Sequence, residues 1–329
     1  MRRRTFITAL GGAAAWPVVA RAQQANPRPR IGFLTTNAES DPENQSWIKE
    51  LTQRLQELGW TDGRNVSIDY RFGNGDAKRL PKLAQELVEL RPDVIVAAAP
   101  PSVSALRQQT LSIPIVFVTV SDPVGAGFVT NLAQPEGNIT GFTNFEFSVG
   151  GKWIEFLRDL APAVGRLGVV FDPDSQTWGS YLRTIEAAAP RLGVQLTPLG
   201  VHDDTEIKQR FAAFAREPNS ALIVLPGPAT TAVHRDSIIA LAAQQRLPAM
   251  YPYRLFTANG GLISYGINLG DLYKPAASYV DRLLRGVRVA ELPVQQPTKF
   301  ELVIKLKTAK ALGLSVPPSL LARADEVIE

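Results

Sequence analysis

Short apolar runs alternate with helical stripes through most of this chain. Residues 31–34 form an apolar run of strand length. Asp41-Pro42 then reads as an N-cap followed by proline at the first helical position. Trp47, Ile48, Leu51, Leu55 and Leu58 recur at helical spacing until Gly59 stops them. Residues 66–72 alternate as a strand. Leu80, Leu83, Ala84, Leu87 and Val88 mark the next helix, 94–96 a strand, and 102–109 a helix that Ser102 can cap. Residues 115–118 and 138–142 read as two more strands.

The pattern then begins again. Helices are predicted over 153–160, 180–189, 207–215 and 230–244. Strands are predicted over 167–171, 194–199, 221–225, 248–251 and 261–265. Repeated strand–helix units with few hairpin signals imply parallel sheets covered by helices on both faces. The two halves also resemble each other. Residues 93–107 and 220–235 each hold a strand, a proline-rich turn, a hydroxyl-bearing helix start and a basic residue. Two doubly wound lobes leave a cleft between them. Ligands of such sheets bind beyond the carboxyl ends of the strands. The turns after strands are therefore the expected lining: Thr35-Thr36, 98–102, 119–123, 172–175 and 226–228.

The first 22 residues break the pattern. A basic start, a short apolar middle and Ala20-Arg21-Ala22 read as an export signal cleaved after about Ala22. The apolar stretch is about 14 residues long and contains Pro17, whereas a spanning helix needs about 20. Arg3-Arg4-Thr5-Phe6 looks like a twin-arginine motif, although Arg2 stands where that motif has serine or threonine, which leaves the export route open. The leader also changes the charge. The chain carries 35 basic and 31 acidic residues, a formal +4. Four of the basic residues lie in the leader, so 31 of each sign remain after cleavage. A neutral mature chain lacks the sustained cationic face of a nucleic-acid binder. With no cysteine in the sequence there is no disulfide, thiolate nucleophile or lipid anchor. A periplasmic protein fits these observations.

Catalytic motifs are missing. There is no phosphate loop, dinucleotide fingerprint or nucleophile elbow, and no cofactor is called for. The two histidines, His202 and His234, lack metal-ligand spacing. Asp122-Pro123 suits a turn and suits equally a carboxylate that meets a ligand amine. Asp172 raises the same two readings, with the cap favoured because Asp174 and Ser175 follow it. The expected ligand-binding set is Thr35, Ser102, Thr119, Asp122, Asn144, Asp172, Trp178, Pro226 and Tyr251. Within it, helix N-termini with Ser102, Thr119 and backbone N–H groups suit a carboxylate, Asp122 an ammonium, and Trp178 or Tyr251 an apolar portion. Asn144 belongs to a 143–145 segment read as the hinge between the lobes.

Four groups of residues carry a resemblance that spans the mature chain. They are Ile113-Pro-Ile-Val-Phe117 with Ser121-Asp-Pro-Val-Gly-Ala-Gly-Phe-Val129; Pro135-Glu-Gly-Asn-Ile-Thr-Gly141; Gly261-Leu-Ile-Ser-Tyr-Gly266 with Asp271-Leu-Tyr273; and Leu306-Lys-Thr-Ala-Lys-Ala-Leu-Gly313. With these, the chain resembles the periplasmic substrate-binding proteins of ABC transporters, in the group that includes tryptophan- and tyrosine-type binding proteins. Lys305 and Tyr273-Lys274 depart from that pattern. The resemblance implies an α/β type I periplasmic-binding fold, with two doubly wound parallel-sheet lobes, a hinge and a cleft. It further implies a first lobe of 30–145 plus about 267–288, and a second of 146–266 plus about 289–329, after a 23–29 linker. The implied function is capture of an amino acid or small aromatic or carboxylate solute by a monomer that delivers it to a membrane permease, without catalysis. Two other readings use the same two-lobed fold: an exported hydrolase working through Asp122 with Asp172, and a sensory module for a membrane receptor.

Overall fold

Each lobe is built on one sheet. The computed structural model describes residues 28–144, 149–175, 178–227, 230 and 233–329. The export leader, most of the linker and Phe145 of the hinge segment lie outside the described residues.

The first sheet holds β1 (Arg30–Thr35), β2 (Ser67–Phe72), β3 (Val94–Ala98), β4 (Ile115–Val120) and β5 (Ile139–Thr143). Its order is β2-β1-β3-β4-β5 and every pair is parallel. Helices α1 (Pro42–Glu57), α2 (Leu80–Glu89) and α3 (Pro100–Gln109) connect the strands. All five residues of β3 are buried, because helices cover both faces of a parallel sheet. Asp41 caps α1 by accepting from the Glu43 N–H at 3.0 Å, with Pro42 in the first turn.

The second lobe contains α4 (Val149–Leu160), β6 (Arg166–Phe171), α5 (Trp178–Ala188), β7 (Gln195–Gly200), α6 (Asp204–Phe214) and β8 (Ser220–Val224). It continues with α7 (Arg235–Gln244), β9 (Ala249–Tyr251), α8 (Arg254–Ala258) and β10 (Ile263–Gly266). The chain then leaves this lobe. Helix α9 (Tyr273–Leu284) packs on α1 and on β3, β4 and β5 of the first lobe. The chain returns as β11 (Glu301–Lys305), α10 (Leu306–Ala311), α11 (Pro318–Leu321) and β12 (Glu326–Ile328). The sheet order is β12-β11-β10-β9-β8-β6-β7.

Three features differ from the sequence expectation. The β10–β11 pair is antiparallel, because β11 arrives from the other lobe rather than through a covering helix. The return through the first lobe extends past 288: Thr140 Oγ1 donates to the Leu292 carbonyl at 2.6 Å, and Gln295 bonds the backbone of β5 through both its N–H and its carbonyl. Helix α3 starts at Pro100, and Ser102 does not cap it. Pro100 and Pro101, with φ already near the helical value, begin the helix two residues earlier.

Glycine is obligatory at the exit from the second lobe. A Cβ on Gly266 would overlap the Pro252 carbonyl.

Candidate ligand-binding site

The strand ends of both sheets face one cavity of about 90 Å³. From the first lobe, the end of β1 supplies Thr35, Thr36 and Asn37, and the start of α1 supplies Asp41 and Trp47. The turn after β3 supplies Ala99, and β4 with its following residue supplies Thr119 and Ser121. From the second lobe come Ser175, Pro226, Gly227, Arg235 and Tyr253. Tyr273, at the start of α9, closes the wall beside Trp47. The indole and phenol rings stack at 5.9 Å with 20° between their planes.

The cavity floor is strained. Ala99 has φ +72 and Thr119 has φ +58, in the left-handed region that side-chain-bearing residues rarely adopt. The two positions hold each other. The Ala99 N–H is 3.0 Å from Thr119 Oγ1 and 3.1 Å from the Val118 carbonyl, and the β4–β5 register shifts at this point. The start of α3 offers little to an anion. Pro100 and Pro101 have no N–H, the Ala99 N–H is engaged, and the Ser102 N–H bonds the Ala99 carbonyl.

A buried polar bridge joins the lobes beneath the cavity. Ser121 Oγ donates to Asn144 Oδ1 at 3.0 Å, and Asn144 Nδ2 donates to the Tyr253 phenolic oxygen at 2.6 Å. Burial pushes the Tyr253 phenol well up, and its bond to Asn144 acts the other way. Tyr181 of α5 is also fully buried and its phenol is raised by burial, while the Ser121 hydroxyl opposes the shift. At the cleft mouth, a Cβ on Gly75 of the first lobe would lie 3.9 Å from Val233 of the second. The lobes are therefore closed on each other.

Two opposite charges line the cavity from opposite lobes. The Asp41 carboxylate uses Oδ1 as the α1 cap. Burial raises the Tyr273 phenol, and the Asp41 charge adds to that shift. Arg235 donates through Nε to Asp236 at 3.0 Å. Its terminal nitrogens keep the planar fork that suits a carboxylate.

Four residues expected from the sequence line this cavity: Thr35, Thr119, Asn144 and Pro226. Five are placed elsewhere. Ser102 is fully buried in α3. Asp122 turns back, its Oδ1 accepting from the Gly125 N–H at 2.7 Å. Asp172 accepts from the Asp174 N–H at 3.0 Å as a turn cap, with its Cβ beside Gly227. Trp178 stacks on Phe171 at 4.6 Å, and Tyr251 is buried against Phe256 at 4.9 Å. Sequence reasoning did not assign Asp41, Trp47, Arg235, Tyr253 or Tyr273 to the ligand. Asp41 reads as a cap, Trp47 as part of a helical stripe, Arg235 as the basic residue of the repeated unit, and Tyr253 as an aromatic near a strand end, where packing is the commoner role. Among the described residues, no group of three or more His, Asp or Glu side chains can hold a metal ion.

Comparison with known proteins places this geometry in context. The sequence profile of the ABC transporter substrate binding protein family matches residues 40–328. A tyrosine-binding protein of Clostridioides difficile is 25% identical over 290 residues, covering 86% of this chain and 80% of that protein. The crystal structure of an ABC domain in complex with L-Trp from Streptococcus pneumonia is similar at 25% identity, with TM-score 0.84, covering 92% of this chain and 100% of that one. A conserved domain protein from Vibrio cholerae is 26% identical with TM-score 0.83, covering 91% and 99%. The profile match runs from just before α1 to the end of β12, leaving out β1 and covering most of both lobes: this chain belongs to the ABC transporter substrate-binding protein family.

Proposed function

We propose that this protein captures one α-amino acid with an aromatic or apolar side chain and delivers it to the membrane permease of an ABC importer. The observation that carries the proposal is the charge arrangement of the cavity. Arg235 on one lobe suits the ligand carboxylate, Asp41 on the other suits its ammonium, and the Trp47–Tyr273 stack suits an apolar side chain. A ligand held this way touches both lobes and favours the closed state by its differential affinity. The relatives that bind tyrosine and L-Trp support the aromatic choice.

In this reading the protein works by binding without catalysis, as a monomer in the periplasm after the leader is removed. The first lobe comprises 30–145 with a return segment from about 267, and the second lobe takes the rest. A thermal-shift screen of amino acids, aromatic acids and sugars tests the proposal, because a ligand that binds only the folded form stabilises it. L-tryptophan or L-tyrosine should raise the melting temperature of the wild type, and Arg235→Gln should lose most of that rise. A response to sugars alone would refute the proposal.

A further inference from the structure

The chain has only two histidines, and the fold brings them together. His202 precedes α6, and His234 immediately precedes Arg235 at the start of α7. His234 Nδ1 is 2.8 Å from Asp204 Oδ1, and Nε2 is 3.1 Å from the His202 carbonyl oxygen. A carbonyl oxygen and an ionised carboxylate both accept only, while a neutral imidazole has a single N–H. Both contacts are hydrogen bonds only when the ring carries two protons. The Ser237 hydroxyl, and after it His234, hold the Asp204 carboxyl below its usual range, which keeps it ionised.

Other charges surround this pair. Glu206 accepts from the His202 backbone N–H, and its Oε2 is 3.1 Å from the His202 ring. Asp203 caps α6. Asp172 and Asp174, from the turn after β6, act on His202, and Arg210 acts on Glu206. Arg235 and Asp236 pair on α7 itself. An imidazolium at the amino end of α7 opposes the helix dipole, and Asp204 with Asp236 offsets that cost.

The neighbours of His234 face the cleft. Val233 approaches Gly75 of the opposite lobe, and Arg235 lines the cavity. The His234 side chain is 16% exposed, so water replaces its two bonds only in part.

We propose that His234, as an imidazolium tied to Asp204 and to the His202 carbonyl, is the positioning residue for Arg235, so that affinity for a carboxylate ligand is greatest at low pH and falls as the ring loses a proton. This rests on Arg235 as the carboxylate partner. The neutral ring must release one of its two acceptors, which frees the start of α7 and with it the guanidinium. The expected loss is about two- to fivefold, the scale of one partly exposed charged pair.

Two measurements test it. Nitrogen NMR of the imidazoles, assigned with His202→Gln, reads the His234 ring directly in the ligand-free protein. Both nitrogens should carry protons on the acid side of the histidine range. A ring that stays neutral there would overturn the proposal, whether or not any ligand is found. Calorimetry with L-tryptophan and L-tyrosine across about pH 5 to 8 reads the coupling. Affinity should fall with pH in the wild type and in His202→Gln, which keeps the carbonyl, and should be nearly flat in His234→Gln. A wild-type profile that is flat, or one that His234→Gln leaves intact, would overturn it. If neither probe binds, the amino-acid reading fails, and the Arg235 Nε signal decides instead. It should shift with pH in the wild type and not in His234→Gln; equal behaviour in both would count against the proposal.

Discussion

Tyr253→Phe removes one oxygen from the bridge between the lobes. Asn144 Nδ2 donates to that oxygen at 2.6 Å, and the two residues are 5% and 3% exposed. The substitution keeps the ring and its packing, so the change lies in the hydrogen bond. Rotating the Asn144 amide does not rescue it. The flipped amide would give its N–H to Ser121 Oγ, which now donates to Oδ1 at 3.0 Å, and would turn its oxygen toward the phenylalanine ring. One buried polar group is stranded either way, at a cost of about 1–3 kcal/mol. Urea unfolding of the ligand-free protein should show a loss of that size. The double variant Asn144→Leu/Tyr253→Phe removes donor and acceptor together. It should lose less than the sum of the two single variants, because each single variant strands the polar group that the other removes. A Tyr253→Phe protein within about 0.5 kcal/mol of the wild type, the range of an ordinary surface change, would refute the claim that this bond is structurally important.

Three further outcomes are expected. Gly266→Ala drives a Cβ into the Pro252 carbonyl at the exit from the second lobe, and should cost about 3 kcal/mol or more or abolish soluble expression; a normal unfolding curve would show that the exit backbone yields. Trp47→Ala removes one ring of the 5.9 Å stack with Tyr273 and should weaken binding of an aromatic amino acid about tenfold by calorimetry; unchanged affinity would remove the stack from the site. The hydrogen bond to Glu206 raises the His202 pKa, so the stability this exposed pair contributes is present below the unfolded-state value and lost as pH rises through the folded-state value. His202→Gln should therefore differ from the wild type most in acid, measured as the urea midpoint against pH; a difference that grows toward alkaline pH would show that the sign is wrong.

The alternation of apolar runs and helical stripes determined the layered α/β architecture, because periods of two and 3.6 are properties of local backbone geometry. β3 was legible as a buried strand from its composition, and Asp41 as a cap from the proline that follows it. Thr35, Thr119 and Pro226 were legible as cleft residues because parallel strands deliver their following turns to one edge, and Asn144 as part of a hinge segment that borders the cleft. Local pattern could not tell a residue packed into a core from one that lines a cavity, since both produce the same stripe. Trp47 was therefore hidden in the α1 stripe, Tyr273 stood out only as a departure from the family pattern, and Arg235 only as the basic residue that closes the 220–235 unit. Asp122 carried a chemistry that its own turn consumes, through the Gly125 N–H. Strands β11 and β12 escaped notice because they extend the second sheet only after the chain has crossed to the first lobe and back. What the tertiary structure alone decided is which surfaces meet. Asn144 and Tyr253 are 109 residues apart in the chain, and no local period carries the information that their side chains join two lobes.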